Sequence, residues 1–195
     1  MTNEGGGQPI KIYLTDKIFS RTLLRLIPHK VRPNYLTAVR LIMVPWVALF
    51  IWMGNYWVGL ILFLAAALTD ALDGALARTR NQITAWGKLF DPLADKFLIC
   101  TVVFVLVLKY VDFFTAWVII ILESIIIVAA LVKRRDGVDV QSNFWGKIKM
   151  ILQVVGVVFL LLSLAFNFDA LIPVSRGSFY MAIAFAIISL FTYSI

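Results

Sequence analysis

Thr69-Asp70-Ala71-Leu72-Asp73-Gly74-Ala75-Leu76-Ala77 and Gly87-Lys88-Leu89-Phe90-Asp91-Pro92-Leu93-Ala94-Asp95-Lys96 are the two stretches whose reading decides the fold. Each adjoins a run of 12 mostly apolar residues, Trp57–Leu68 ahead of the first and Phe97–Leu108 behind the second. Twelve residues make about 18 Å of helix, too short for a hydrocarbon core of about 30 Å. Each run reaches spanning length only by growing toward the other. That growth draws Asp70, Asp73, Asp91 and Asp95 into membrane helices and leaves Thr79–Trp86 as the loop between them.

Outward from this hairpin the chain is plainer. Apolar segments at Tyr35–Trp52, Phe114–Val132, Ile151–Phe166 and Phe179–Ile195 are each near spanning length. Over all 195 residues 62% are hydrophobic and 15% charged, with a mean hydropathy of +0.92. A soluble domain runs near half apolar and a quarter charged, so a disordered chain is excluded and a soluble globule disfavoured. The fold class that follows is an all-α integral membrane protein. It has six transmembrane helices preceded by an interfacial amphipathic helix.

Residues 1–33 read as a flexible tail and a juxtamembrane helix, and 34–195 as one six-helix domain. Gly5-Gly6-Gly7 and Pro9 mark the tail. From Leu14 to Ile27, the apolar Ile18, Phe19, Leu23, Leu26 and Ile27 oppose Lys17, Ser20, Arg21 and Arg25, a pattern suited to the membrane surface. No apolar run precedes Pro28, so no secretory signal peptide is expected. Lys and Arg outnumber Asp and Glu by 18 to 11. The cations gather in the N-terminal segment, at Arg78–Lys88 and at Lys133–Lys149, with only Lys109 and Arg176 on the other side. The positive-inside rule then places both termini and the acidic hairpin's loop in the cytoplasm. Cations that follow membrane topology give no sign of nucleic-acid binding. Cys100, the single cysteine, reads as a buried thiol, and His29, the single histidine, as an interfacial residue.

Asp70 and Asp73 are spaced i, i+3, and Asp91 and Asp95 i, i+4, so each pair shares a helix face. Counted from the loop, the pairs fall at matching depths, with the small Gly74, Ala77 and Gly87 alongside. Four carboxylates converging in low dielectric repel unless cations join them, and oxygen-only ligation suits Mg²⁺ or Mn²⁺. With Arg78 beside them, the residues point to metal-dependent phosphoryl chemistry on a lipid-borne substrate. Asp95, the deepest acid of its helix, is the candidate proton acceptor. Two other readings stand beside this one. The acids could be helix-end groups paired with Arg78, Arg80, Lys88 and Lys96, or the ion path of a cation transporter.

The pattern Asp70-x2-Asp73-Gly74-x2-Ala77-Arg78-x8-Gly87-x3-Asp91-x3-Asp95 resembles, at every fixed position, the signature of the CDP-alcohol phosphotransferases. The resemblance implies six membrane helices after an interfacial helix, a homodimer, and transfer of a substituted phosphate from a CDP-linked donor to an alcohol with release of CMP. It further implies that Asp70, Asp73, Asp91 and Asp95 ligate metal, two ions of Mg²⁺ or Mn²⁺, and that Asp95 also deprotonates the acceptor hydroxyl. Gly74, Arg78 and Thr84, with Pro33, Asn34, Tyr35 and Leu36 at the entry to the first span, would hold the donor.

Pro33-Asn34-x-Leu36-Thr37-x2-Arg40-x4-Pro45 and Trp145-Gly146-Lys147-x-Lys149-x3-Gln153 are similar to the phosphatidylglycerophosphate synthase subgroup. The implied partners are therefore CDP-diacylglycerol and glycerol 3-phosphate, with Arg134, Lys147 and Lys149 as candidates for the acceptor's phosphate. A cardiolipin synthase, with phosphatidylglycerol as acceptor, and an inositol-phosphate-using enzyme are the alternatives within the family. The fourth span carries Leu122-Glu123 where the subgroup has Arg-Glu, and Glu123 calls for a partner, either Arg40 or a loop cation.

Overall fold

The computed structural model describes residues 33–79, 85–135 and 144–194. Among them the only regular structure is helical. In chain order the helices are α1 (Pro33–Trp52), α2 (Tyr56–Thr79), α3 (Ala85–Tyr110), α4 (Phe113–Arg135), α5 (Phe144–Phe166) and α6 (Ile172–Ser194), with a short 3₁₀ turn at Asp169–Leu171. The expected amphipathic helix before Pro28, and the Thr84 loop position, lie outside the described residues.

The two short apolar runs do extend toward each other, α2 continuing to Thr79 and α3 starting at Ala85. At 24 and 26 residues these are the longest helices described. Four helices are long and apolar enough to cross a membrane on composition, at Tyr35–Trp52, Phe113–Ala130, Phe144–Phe166 and Asp169–Thr192. Tyr56–Asp70 is a shorter apolar stretch, because the acids lower the hydropathy of the rest of α2. The surface is inverted relative to a soluble protein. Ile42, Trp46, Phe97, Phe114, Ile121 and Phe191 are exposed, while Arg40, Asp73, Glu123, Lys149 and Gln153 are buried. Such a surface suits lipid, and with the four apolar helices it marks a multi-pass membrane protein.

α5 and α6 start seven residues earlier than hydropathy alone indicates, at Phe144 and Ile172 rather than Ile151 and Phe179. Lys is a good helix former whose stem packs along apolar neighbours, so Lys147 and Lys149 do not interrupt α5. Pro173 is tolerated in the first turn of α6, where its missing N–H has no helical partner to lose.

Short connections fix the far end. Gly54 adopts φ +84° after α1, and Asn55 N–H donates to Phe50 O at 2.9 Å, a left-handed cap that glycine favours. Asp112 caps α4 by accepting from Thr115 N–H at 2.7 Å. The two cations on this side also close helix ends. Lys109 Nζ donates to Trp52 O and Arg176 Nη2 to Tyr110 O, both at 3.0 Å. Each reaches the final carbonyl of a helix, where positive charge is favoured.

Within the bundle α1 packs against both α2 and α3, whereas α2 and α3 touch each other far less. The main core joins Val47 and Ile51 of α1, Phe63 of α2, Val102 and Leu106 of α3, Leu160 of α5 and Phe179 of α6. Two glycines permit the closest approaches. A Cβ on Gly59 would stand 2.6 Å from Ile51 Cγ1, and one on Gly156 would stand 2.8 Å from the buried Phe179 ring. Small residues serve this purpose between membrane helices generally.

Candidate active site

Thr37 and Arg40 lie one turn apart on α1, and Asp70 and Asp73 one turn apart on α2. The faces meet. Arg40, with no exposed surface, sets Nη2 2.5 Å from Asp73 Oδ2 and Nη1 2.8 Å from Asp70 Oδ1. Thr37 Oγ1 donates to Asp73 Oδ2 at 3.4 Å. The two arms differ in kind. The Asp73 arm is a buried, charge-assisted hydrogen bond, with Asp73 only 2% exposed. The Asp70 contact is close but off the N–H direction, so it is an ion pair without hydrogen-bond alignment, and Asp70 keeps 40% exposure. Below the site, Leu36 packs on Leu72, Ala75 and Leu76, fixing α1 against this part of α2.

Asp95 on α3 lies within electrostatic reach of both Asp70 and Arg40. The structure thus joins Asp70 and Asp73 on one guanidinium and sets Asp95 within electrostatic reach of it. Asp91 lies one turn before Asp95 on α3. For Asp91, Pro33, Asn34, Gly74, Arg78 and Arg134 the description covers the helical backbone and not the side chain. Tyr35 is exposed and Leu36 half-buried at the start of α1.

Arg40 is the residue that sequence reasoning misplaced, by offering it as a partner for Glu123. Arg40 and Asp73 do stand at matching depths, about 10 Å into α1 and about 9 Å from the end of α2, but depth alone does not choose a partner, since Glu123, about 18 Å from the end of α4, bonds a residue only about 8 Å into α5. Glu123 takes the loop-side cation instead, Lys149, and its Oε1 also accepts from Gln153 Nε2 at 2.9 Å. Lys147, two residues away on α5, is exposed.

The carboxylates fit a divalent cation. Asp70 and Asp73 already converge on one positive group, all the donors are oxygen, and a carboxylate that meets an arginine still has lone pairs for a metal. No cluster of three metal-ligating side chains is preassembled among the described residues. A cleft of about 680 Å³ runs along the other side of α3 against α4, lined by Phe97, Phe104, Trp117 and Ile127 together with Lys96 and Glu123.

An apolar helical bundle that buries acids and cations at one end of its helices is a membrane enzyme or a cation carrier by its chemistry, and comparison with known proteins separates the two. The sequence profile of the family described as CDP-alcohol phosphatidyltransferase matches residues 30–192. The chain belongs to that family. It is 36% identical over 138 residues to a CDP-diacylglycerol--glycerol-3-phosphate 3-phosphatidyltransferase of Rickettsia felis, covering 67% of this chain and 74% of that one. A Bacillus subtilis protein of the same name is 36% identical over 135 residues, 67% of this chain and 68% of its own. The match to the Rickettsia typhi protein of that name is shorter, 41% over 80 residues, or 40% of this chain and 45% of the relative.

Proposed function

We propose that the protein transfers the phosphatidyl group of CDP-diacylglycerol to glycerol 3-phosphate and releases CMP, a step of phospholipid biosynthesis. The observation that carries this reading is the pairing of Asp70 and Asp73 with the buried Arg40, Asp95 being within electrostatic reach, inside the stretch that matches the family. A cation path needs the acids but has no use for Gly74, Ala77, Arg78 and Gly87 at fixed spacing from them.

In this reading Asp70, Asp73, Asp91 and Asp95 hold Mg²⁺ or Mn²⁺, two ions in all. When bound, the metal neutralises the donor's diphosphate and makes the acceptor hydroxyl more acidic. Asp95 takes the hydroxyl proton. The freed oxygen forms a bond to the phosphorus that carries the diacylglycerol, and the bond from that phosphorus to the CMP oxygen breaks. Arg78 and Thr84 orient the diphosphate, Gly74 leaves room for the cytidine, and Pro33, Asn34, Tyr35 and Leu36 line the nucleotide side. Arg134, Lys147 and Lys149 supply positive charge for the phosphate of the acceptor. The working unit is a homodimer of chains with six spans and a surface-lying N-terminal helix, with the site and both termini facing the cytoplasm.

The test is CMP release by purified protein in detergent with CDP-diacylglycerol and Mg²⁺ or Mn²⁺. Glycerol 3-phosphate, inositol phosphate, phosphatidylglycerol and serine are supplied separately as acceptors. Release that needs both metal and glycerol 3-phosphate is the expected result. Release with another acceptor alone would reassign the acceptor while keeping the family chemistry.

A further inference from the structure

α4 and α5 are joined by charge rather than by close backbone packing. Glu123 of α4 crosses the gap between them and takes both the Lys149 ammonium and the Gln153 amide of α5 on one oxygen, Oε1. All three side chains are buried, at 4%, 5% and 4% exposure for Glu123, Lys149 and Gln153. Lys149 and Gln153 are spaced i, i+4, so one face of α5 presents both to the same carboxylate. On one side the surroundings are aliphatic, with Ile119, Leu122, Ala182, Ile183 and Ala186 lining the small void beside Glu123, and on the other Glu123 borders the cleft that also holds Lys96. Holding two helices together in such surroundings needs only apolar side chains, and buried ion pairs are poor sources of stability compared with them. Ionisable groups kept inside a membrane bundle mark function by default.

One residue of α3 links the clasp to the acidic centre. Lys96, the neighbour of Asp95 on α3, is within electrostatic reach of Asp95, Glu123 and Lys149 together. Lys96 is thus within reach of the acid Asp95 and of the clasp alike. Resting on the assignment of Lys149 to the acceptor's phosphate made above, we propose that Glu123, itself held by Gln153, is the positioning residue that fixes the Lys149 ammonium for that phosphate. An ammonium has three donors, so the bond to Glu123 is compatible with one to a phosphate oxygen. Its four-carbon stem is otherwise too flexible to place the charge. The carboxylate supplies the placement, and the amide of Gln153 holds the carboxylate.

The experiment measures KM for glycerol 3-phosphate and for CDP-diacylglycerol in Glu123→Gln, Gln153→Leu, Lys149→Met and the Glu123→Gln, Lys149→Met double variant, with melting temperature recorded for each. Lys149→Met and Glu123→Gln should each raise the acceptor KM about tenfold or more, the effect of losing a charged hydrogen bond, and leave the donor KM within about twofold. The double variant should be no worse than Lys149→Met, because Glu123 acts through Lys149. Gln153→Leu changes no charge and should raise the acceptor KM more weakly, which keeps the test open if Glu123→Gln does not fold. A clasp that is only structural would lower melting temperature and leave the acceptor KM of the folded enzyme alone. That result in Glu123→Gln or Gln153→Leu, alongside a raised KM in Lys149→Met, overturns the positioning role by itself. An unchanged acceptor KM in Lys149→Met removes the assignment beneath it as well.

Discussion

Replacing Arg40 by Met removes the cation around which Asp70 and Asp73 are arranged. Met fills similar apolar volume, so the loss falls on charge. The two arms do not count equally. Asp70 is 40% exposed and its contact is unaligned, so solvent screens much of its interaction. Asp73 is 2% exposed and bonds Nη2 at 2.5 Å, so its charge is stranded when the guanidinium goes. Removing one partner of a buried pair costs about 3–5 kcal/mol, and a single fully buried arm argues for the lower end, about 3 kcal/mol. For a chain of this length each kcal/mol lowers the melting temperature by about 2–4 °C, giving a fall of about 6–12 °C. Arg40→Lys keeps the charge but not the fork that spans two carboxylates, and should lose about half as much.

The assay is thermal unfolding in detergent followed by the fluorescence of the six tryptophans, with and without Mg²⁺. A divalent ion supplies the charge that Arg40→Met has lost, so Mg²⁺ should raise the melting temperature of the variant more than that of the native protein. A variant that melts within about 2 °C of the native protein, with no larger response to Mg²⁺, would refute the account of Arg40 as the buried counter-charge.

Asp95→Asn should keep the melting temperature and abolish CMP release, and activity within about tenfold of native would remove Asp95 from the base role. Gly156→Ala drives a methyl to 2.8 Å from the fully buried Phe179 ring and should cost about 1–3 kcal/mol, seen as an earlier melt. Gly177→Ala, with nothing within 4 Å, should be neutral or stabilising in the same measurement. Asp112→Ala should cost about 1 kcal/mol through loss of the α4 cap. The side-chain hydrogen bond with Thr115 holds the Asp112 carboxyl below the usual carboxylate range. Its contribution is therefore present above the ordinary carboxylate pKa and is lost as pH falls through the lowered value, so the native and Asp112→Ala melts should converge in acid.

Hydropathy and spacing carried the helical hairpin far. A run that is too short for a bilayer must be extended, and the only extension available passed through the acids, as α2 and α3 do. The same measure hid the first turns of α5 and α6. Lys147, Lys149, Ser175 and Arg176 lower apparent hydropathy, yet Lys149 reaches Glu123 and Arg176 reaches Tyr110 O once the helices assemble. Ser175 likewise loses its polarity to a partner, donating to Gly156 O at 2.8 Å. Spacing also says which residues share a face and at what depth, but not which helix that face meets. The matched acids suggested that the second and third helices pack side by side, whereas α1 packs closely against both and Arg40 occupies the centre. That is why the acidic residues were legible from the chain and the cation among them was not.

The place of α1 also bears on how such a chain enters a membrane. An aspartate in an inserting helix is penalised, by about 2.5–3.5 kcal/mol at the centre and less toward the ends, and α2 carries two in its second half. During synthesis the segment bearing Arg40 emerges before either of them. The counter-charge is thus already at hand when the acids arrive, and translation order supplies α2 with a neutralising neighbour before α3 exists. Moving α1 to the end of the gene, by circular permutation, would leave the final contacts intact and take that advantage away.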